Sequence, residues 1–224
     1  MPTADYQRLM ATIHQGSPYD GFDAASRALD VQEWANSNSP VFDLLIKKFR
    51  PSLIIEIGTW KGASAIHMAE LLKAHGISAT IVCIDTWLGT DSLWKQPDKR
   101  KSLALKNGYP TVYYTFLANV MKTGHSDVIV PVPLPSAIAC RWLKTMNVEA
   151  GLVYIDADHE APSVYADMSN CWDMVSPHGA MFGDDFLPGW PGVQQAVSAF
   201  SRKVGIQPEI HGEKWVINKS SAPL

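Results

Sequence analysis

The sequence predicts a single-domain α/β fold built on a doubly wound, mostly parallel sheet. Three observations carry this. Residues 52–70, SLIIEIGTWKGASAIHMAE, read as a buried strand, a glycine turn and an Ala-rich helix in direct succession. Further short apolar runs, TIVCID (80–85), GLVYID (151–156) and AMFGD (180–184), each end in an acidic residue, and helical stretches separate them. The 224 residues suffice for one sizeable core, with no internal repeat and no second domain.

Composition narrows the class. Hydrophobic residues make up 46% and charged residues 18%, as in globular rather than disordered chains. A net charge of -3 gives no reason to expect nucleic acid or an acidic membrane surface as a partner. The three cysteines, Cys83, Cys140 and Cys171, are widely spaced and lack a C-x-x-C pattern. They read as reduced cytoplasmic thiols rather than zinc ligands. No apolar run approaches a membrane span and MPTADYQRLM has no signal-peptide core, so a cytoplasmic location is expected.

Taken in order, residues 1–24 read as a loose polar arm with one short helix around Tyr6–His14. Two helices are expected at Leu29–Asn36 and Pro40–Phe49. The second turns Val41, Leu44, Leu45 and Phe49 to one side, and Pro51 ends it. Residues 1–40 are thus expected as an N-terminal arm, serving as cap, lid or dimer contact, ahead of a main domain over 41–224.

The central cradle follows. Its pattern is E-x-G-x-x-x-G-x-S, from Glu56 through Gly58, Thr59 and Gly62 to Ser64. Glycines allow positive φ and close approach, and the helix start offers free N–H groups. A dinucleotide fingerprint would read G-x-G-x-x-G. Here a carboxylate at the strand end would repel a diphosphate and suit a cationic ligand. An ordinary strand–turn–helix with an incidental Glu remains the alternative.

Strand two, Thr80–Asp85, ends in an acidic residue placed to accept bonds from ribose hydroxyls. Trp87 follows, as a cover for an adenine or for the substrate mouth. Residues 88–110 are polar, with Lys95, Lys99, Arg100 and Lys101 beside Trp94 and Tyr109. They read either as a lid or as a solvated helix around Lys99–Asn107. A helix over Val112–Thr123, capped by Gly124, leads to strand three, Asp127–Val132. Ser136 and Ala137 start the next helix at a strand end facing the crevice. Ser136 is either an adenine contact or a plain N-cap. Strand four is Gly151–Asp156, and a helix over Ser163–Val175, closed by Pro177-His178-Gly179, precedes strand five, Ala180–Asp184. A loop at 188–192, a helix over Val193–Lys203 and two short strands at Gln207–His211 and Lys214–Asn218 bring the strand count to seven.

Asp156, Asp158, Asp184 and Asp185 fall at the ends of strands four and five. Carboxylates so placed repel unless a cation intervenes, and hard divalent ions prefer oxygen ligands. The alternative is that some of them cap helices. His159 follows directly, a residue able to take a proton near neutrality, or else an exposed helix-start histidine.

These stretches (IIEIGTWKGASA, IDTW, VYIDADH, HGAMFGDDF and PGVQQAV) together resemble the class I S-adenosylmethionine-dependent methyltransferases with their Rossmann-like fold. More narrowly the chain resembles the metal-dependent small-molecule O-methyltransferases. It is most similar to the group of macrocin-type sugar O-methyltransferases and cephalosporin-hydroxylase-like proteins, over roughly residues 41–203. The resemblance implies methyl transfer from S-adenosylmethionine to a hydroxyl of a natural product, sugar or phenolic compound, assisted by Mg²⁺ or a similar ion. It implies that Glu56, Gly58, Thr59 and Ser64 contact the cofactor's methionine part and that Asp85 holds the ribose. Ser136 or Ala137 would touch the adenine, and Asp158 would face the methionine end. Asp156, Asp184 and Asp185 would ligate the ion. Catechol-type relatives usually carry Asn where this chain has Asp185, and a Lys base where it has His159. The base is therefore His159, Asp156 or a metal-bound water.

Trp60, Trp87, Phe186 and Trp190 are expected to line the substrate mouth, or else to pack. Competing readings are a nicotinamide-dependent oxidoreductase, a non-catalytic cofactor-binding protein, and an N- or C-methyltransferase with a structural acidic cluster. The acceptor is not legible, and oligomeric state is open, with a homodimer the common prior.

Overall fold

The computed structural model describes residues 1–31 and 38–220. Seven strands form one sheet in the order β3-β2-β1-β4-β5-β7-β6. They are β1 (Leu53–Ile57), β2 (Thr80–Ile84), β3 (Ile129–Val132), β4 (Ala150–Ile155), β5 (Val175–Gly183), β6 (Glu209–His211) and β7 (Lys214–Asn218). The first five run parallel, while β7 is antiparallel to β5 and β6 to β7. This is the Rossmann-like, mostly parallel architecture the sequence predicts. Every residue of β1, β2 and β3 is buried, which requires cover on both faces. Strand order reverses at β1, between β2 on one side and β4 on the other. The carboxyl ends of β1 and β4 therefore flank the crevice where such folds bind ligands.

The main helices are α1 (Ala4–Ile13), α2 (Pro40–Phe49), α3 (Ala63–Ala74), α4 (Asp91–Lys95), α5 (Pro97–Arg100), α6 (Val112–Lys122), α7 (Ser136–Thr145), α8 (Ala161–Cys171) and α9 (Pro191–Val204). In α2 a Ser39 side-chain cap and Pro40 at the first turn set the start, and left-handed Arg50 ends it. Its inner face is Val41, Phe42, Leu45 and Ile46. Leu44, expected on that face, is 40% exposed, because the 3.6-residue period brings Phe42 and Ile46 inward instead. Phe42 packs edge-on against Tyr154 and Phe182 of the sheet.

Several expectations are corrected. The arm is docked rather than loose: Tyr6, Leu9 and Met10 of α1 are buried. Tyr19 Oη donates to Ile129 O at 3.0 Å, and His14 Nε2 lies 2.9 Å from Pro131 O. Both side chains bond the otherwise open edge of β3, the usual remedy for an unpaired strand edge. The helix expected at Leu29–Asn36 falls largely outside the described residues; 29–31 are irregular. The helix expected at Ser163–Val175 ends at Cys171 in a 3₁₀ turn. Pro177-His178-Gly179 does not close it, because these residues lie within β5, where the Ala150/Leu152 register shift accommodates them. Residues 88–110 hold α4, α5 and a 3₁₀ turn rather than one helix around Lys99–Asn107. Among the described residues no helix is long and apolar enough to cross a membrane.

Candidate active site

The acidic residues sit one step beyond the parallel ladder. Asp85, Asp156 and Asp184 still donate their backbone N–H to Val132, Ile57 and Ile155, the last rungs of neighbouring strands. Each side chain therefore starts from a rigid point at the carboxyl edge, which explains how residues far apart in sequence share one crevice.

The cradle turn is built from within. Glu56 is fully buried on β1, in register with Cys83 and Tyr154. Its carboxyl accepts bonds from Thr59 Oγ1 at 2.9 Å and from Ser64 Oγ, with Cys83 Sγ at 3.5 Å. Burial raises its pKa to about 7, although the Ser64 and Thr59 hydroxyls lower it. Gly58 (φ 85°) and Gly62 (φ 91°) hold the left-handed turns that the spacing predicts. Asp85 accepts the backbone N–H of Trp60 at 2.8 Å and of Trp87 at 2.7 Å. Both Trp60 and Trp87 have positive φ, as does Asp185, so left-handed non-glycine residues gather at this edge. The N-terminal arm reaches the turn as well: Lys61 Nζ pairs with Asp30 at 2.6 Å, and Asn119 Nδ2 donates to the carbonyls of Asp30 and Lys61.

Two expectations change here. Trp87 is 2% exposed and packs on Tyr113 and Phe116, so it belongs to the core rather than to the mouth. Ser136 is not an N-cap, since Pro135 holds that position. Its hydroxyl donates to Asp167 Oδ1 on α8 at 2.5 Å, and burial pushes that carboxyl up to about 6. Ala137, the next residue, is exposed.

At the ends of β4 and β5 a small crevice is lined by Asp156, Asp158, His159, Asp184, Asp185 and Trp215. Burial, then the facing Asp184 and Asp185, push Asp156 up to about 6. Asp158 accepts the backbone N–H of His159 at 2.8 Å. His159 Nε2 meets Asp185 Oδ2 at 2.6 Å, and the imidazole stacks on Trp190 with centroids 4.2 Å apart. Burial lowers the His159 pKa, but the Asp185 bond and nearby carboxylates outweigh it, and the pKa is raised. Trp190 is 43% exposed, and Trp60 and Phe186 are partly buried.

For a divalent ion, donor atoms of Asp156, His159 and Asp185 all lie within 4.8 Å of one another. The carboxylates of Asp156 and Asp185 suit a hard cation, whereas the His159 imidazole suits a softer transition metal. Asp184 is engaged differently. Its Oδ1 accepts the Asp185 N–H at 2.9 Å, and its Oδ2 pairs with the ammonium of Lys214. Sequence reasoning passed over Lys214. The available signal was a lysine opening a short, mostly apolar strand, KWVIN.

Comparison with known proteins bears on the family and the fold. Residues 55–186 match the family model described as a methyltransferase domain. Catechol O-methyltransferase of Mus musculus is 32% identical over 74 residues, a stretch covering 30% of this chain and 28% of that protein. Among solved structures, the calicheamicin methyltransferase CalS11 superposes with a TM-score of 0.61 at 17% identity, covering 97% of this chain and 94% of that one. The O-methyltransferase NovP gives 0.58 at 18%, covering 97% and 99%. The O-methyltransferase of Bacillus cereus in complex with SAH gives 0.58 at 13%, covering 98% and 92%.

Proposed function

The chain belongs to the methyltransferase-domain family, and from that membership we propose that it transfers a methyl group from S-adenosylmethionine to a hydroxyl of a small molecule, a natural product, sugar or phenolic compound. The observation that carries this reading is the adjoining of two half-sites at one sheet edge. One is a glycine cradle over a buried carboxyl; the other is an acidic crevice holding a paired histidine. A sulfonium methyl is already electrophilic, so the protein has to align the acceptor and remove its proton.

In this reading the cofactor's methionine end lies over Gly58, Thr59 and Ser64, with Glu56 as the negative charge beneath and Asp158 facing it. Asp85 accepts the ribose hydroxyls, for which its two oxygens keep spare lone pairs beside the Trp60 and Trp87 N–H groups. The adenine lies near Ser136 and Ala137. His159 takes the acceptor's proton, held in orientation by Asp185 and the Trp190 ring. Asp156 is the second candidate base. Asp156, Asp184 and Asp185 would hold Mg²⁺ or a similar divalent ion, which when bound lowers the pKa of a coordinated hydroxyl. Residues 88–110 serve as a substrate lid. Residues 1–40 act as a cap through the Asp30–Lys61 pair, and a homodimer is the assembly to test first.

Isothermal titration of S-adenosylmethionine, with and without Mg²⁺, tests this on the wild type and on Asp184→Ala/Asp185→Ala. The variant should keep cofactor affinity and lose the separately titrated ion, and the wild type should methylate members of a hydroxyl-acceptor panel. Absence of cofactor binding overturns the reading. Tight binding with no turnover on any acceptor makes the chain a non-catalytic binder.

A further inference from the structure

Lys214 has no part in the chemistry above, yet it is a buried charge set directly beneath the acidic crevice. It opens β7 and is only 1% exposed. Its ammonium pairs with Asp184 and lies 3.3 Å from the Tyr154 hydroxyl. It sits 5.4 Å over the Phe42 ring and 5.5 Å over the Tyr154 ring. Tyr154 in turn donates to Asp156 Oδ2 at 3.0 Å. One buried cation thus engages Asp184 directly and Asp156 through a single hydroxyl. These are two of the three carboxylates assigned above to a divalent ion.

Removing an ammonium from water is costly, and only closely placed opposite charge and π faces offset it. Here the carboxylates supply that compensation. A divalent ion on the same carboxylates would bring like charge close to Lys214 in a poorly screened interior. We propose that Lys214 is the resident counter-ion of the acidic crevice. It holds Asp184, and through Tyr154 also Asp156, in place when no metal is bound, and a divalent ion competes with it for Asp184. The proposal rests on the metal reading above. Lying under the crevice floor, Lys214 is a positioning residue rather than a catalytic one.

The test titrates Mn²⁺ and Mg²⁺ into the wild type, Lys214→Met and Lys214→Met/Asp184→Asn, with thermal melts in the absence and presence of each ion. Lys214→Met should melt lower without metal, bind the ion at least tenfold tighter, and gain more in Tm from it than the wild type gains. The double variant, which removes both charges, should recover the metal-free Tm and bind within about threefold of wild type. Folding of Lys214→Met only in the presence of the ion also supports competition. Equal or weaker ion binding by folded Lys214→Met overturns it, since Lys214 would then orient Asp184 for the ion. If that variant folds under neither condition, the double variant decides: a tenfold loss of affinity there means that Asp184 serves the ion in the wild type with no offsetting competition from Lys214, and the proposal fails. No ion binding by any of the three proteins overturns the metal reading itself and this proposal with it, an outcome distinct from binding with the wrong sign.

Discussion

A methyl group on Gly58 would stand 2.0 Å from the carbonyl oxygen of Asp156. The cradle turn at the end of β1 and the acidic end of β4 are therefore in backbone contact, with no room for a side chain between them. Gly58 also sits at φ 85°. Gly58→Ala is expected to cost roughly 3 kcal/mol or more, from the left-handed penalty and overpacking against backbone. Urea unfolding measures this, and cofactor affinity should fall with it. A variant with wild-type stability would refute the contact.

Glu56 makes the metal-free protein's stability depend on pH. Its carboxyl moves from an ordinary 4.5 to about 7 on folding. Between those values the folded state holds a proton that the unfolded state has lost, so stability falls as pH rises through this window. The loss is on the order of 3 kcal/mol. Glu56→Gln should make this slope shallower in denaturant melts at pH 5 to 8, most clearly above pH 6, since Asp156 and Asp167, both raised to about 6, titrate in the lower part of the window. Affinity for a cationic cofactor should rise in the wild type as pH passes about 7, and should not in Glu56→Gln.

His159→Ala should lower kcat by about 10²- to 10⁴-fold, the usual worth of a positioned general base, while leaving the cofactor Kd within error. Asp185→Asn keeps the imidazole stacked on Trp190 but loses the carboxylate bond, so its kcat should fall less. Single-turnover methyl transfer separates these effects. A His159→Ala variant with wild-type turnover would pass the base to Asp156.

The Ser136–Asp167 pair ties α7 to α8. Ser136→Ala leaves a buried carboxyl without this donor, and a cost of about 1–3 kcal/mol is expected. Asp167→Asn, which can still accept from the hydroxyl, should cost less. Chemical denaturation of both variants checks the order. A Kd for cofactor that rises in Ser136→Ala and stays fixed in Asp167→Asn would identify the hydroxyl as an adenine contact.

The alternation of apolar runs and helical stretches was legible because strand and helix periods are local properties of the chain. The same holds for the glycine turn, since Gly58 and Gly62 stand where only positive φ closes the cradle. It also holds for the acidic strand ends, which topology carries to one edge whatever the side-chain details. The N-cap alternative for Ser136 and the mouth reading of Trp87 fail because their partners, Asp167 and Phe116, are distant in sequence. Pro177-His178-Gly179 read as a helix stop because turn residues give the same local signal at an irregularity in a strand.

By itself the sequence determined the sheet-and-helix order, the cradle, and which strand ends carry carboxylates. These follow from short-range sterics and hydrophobic period. Only the tertiary structure decided how the charges pair. It set Lys214 of β7 under Asp184, His159 against Asp185, and the arm's Asp30 on Lys61. Charge pairing depends on distances of a few ångströms between residues 26 to 31 positions apart, and no periodicity along the chain encodes such a distance.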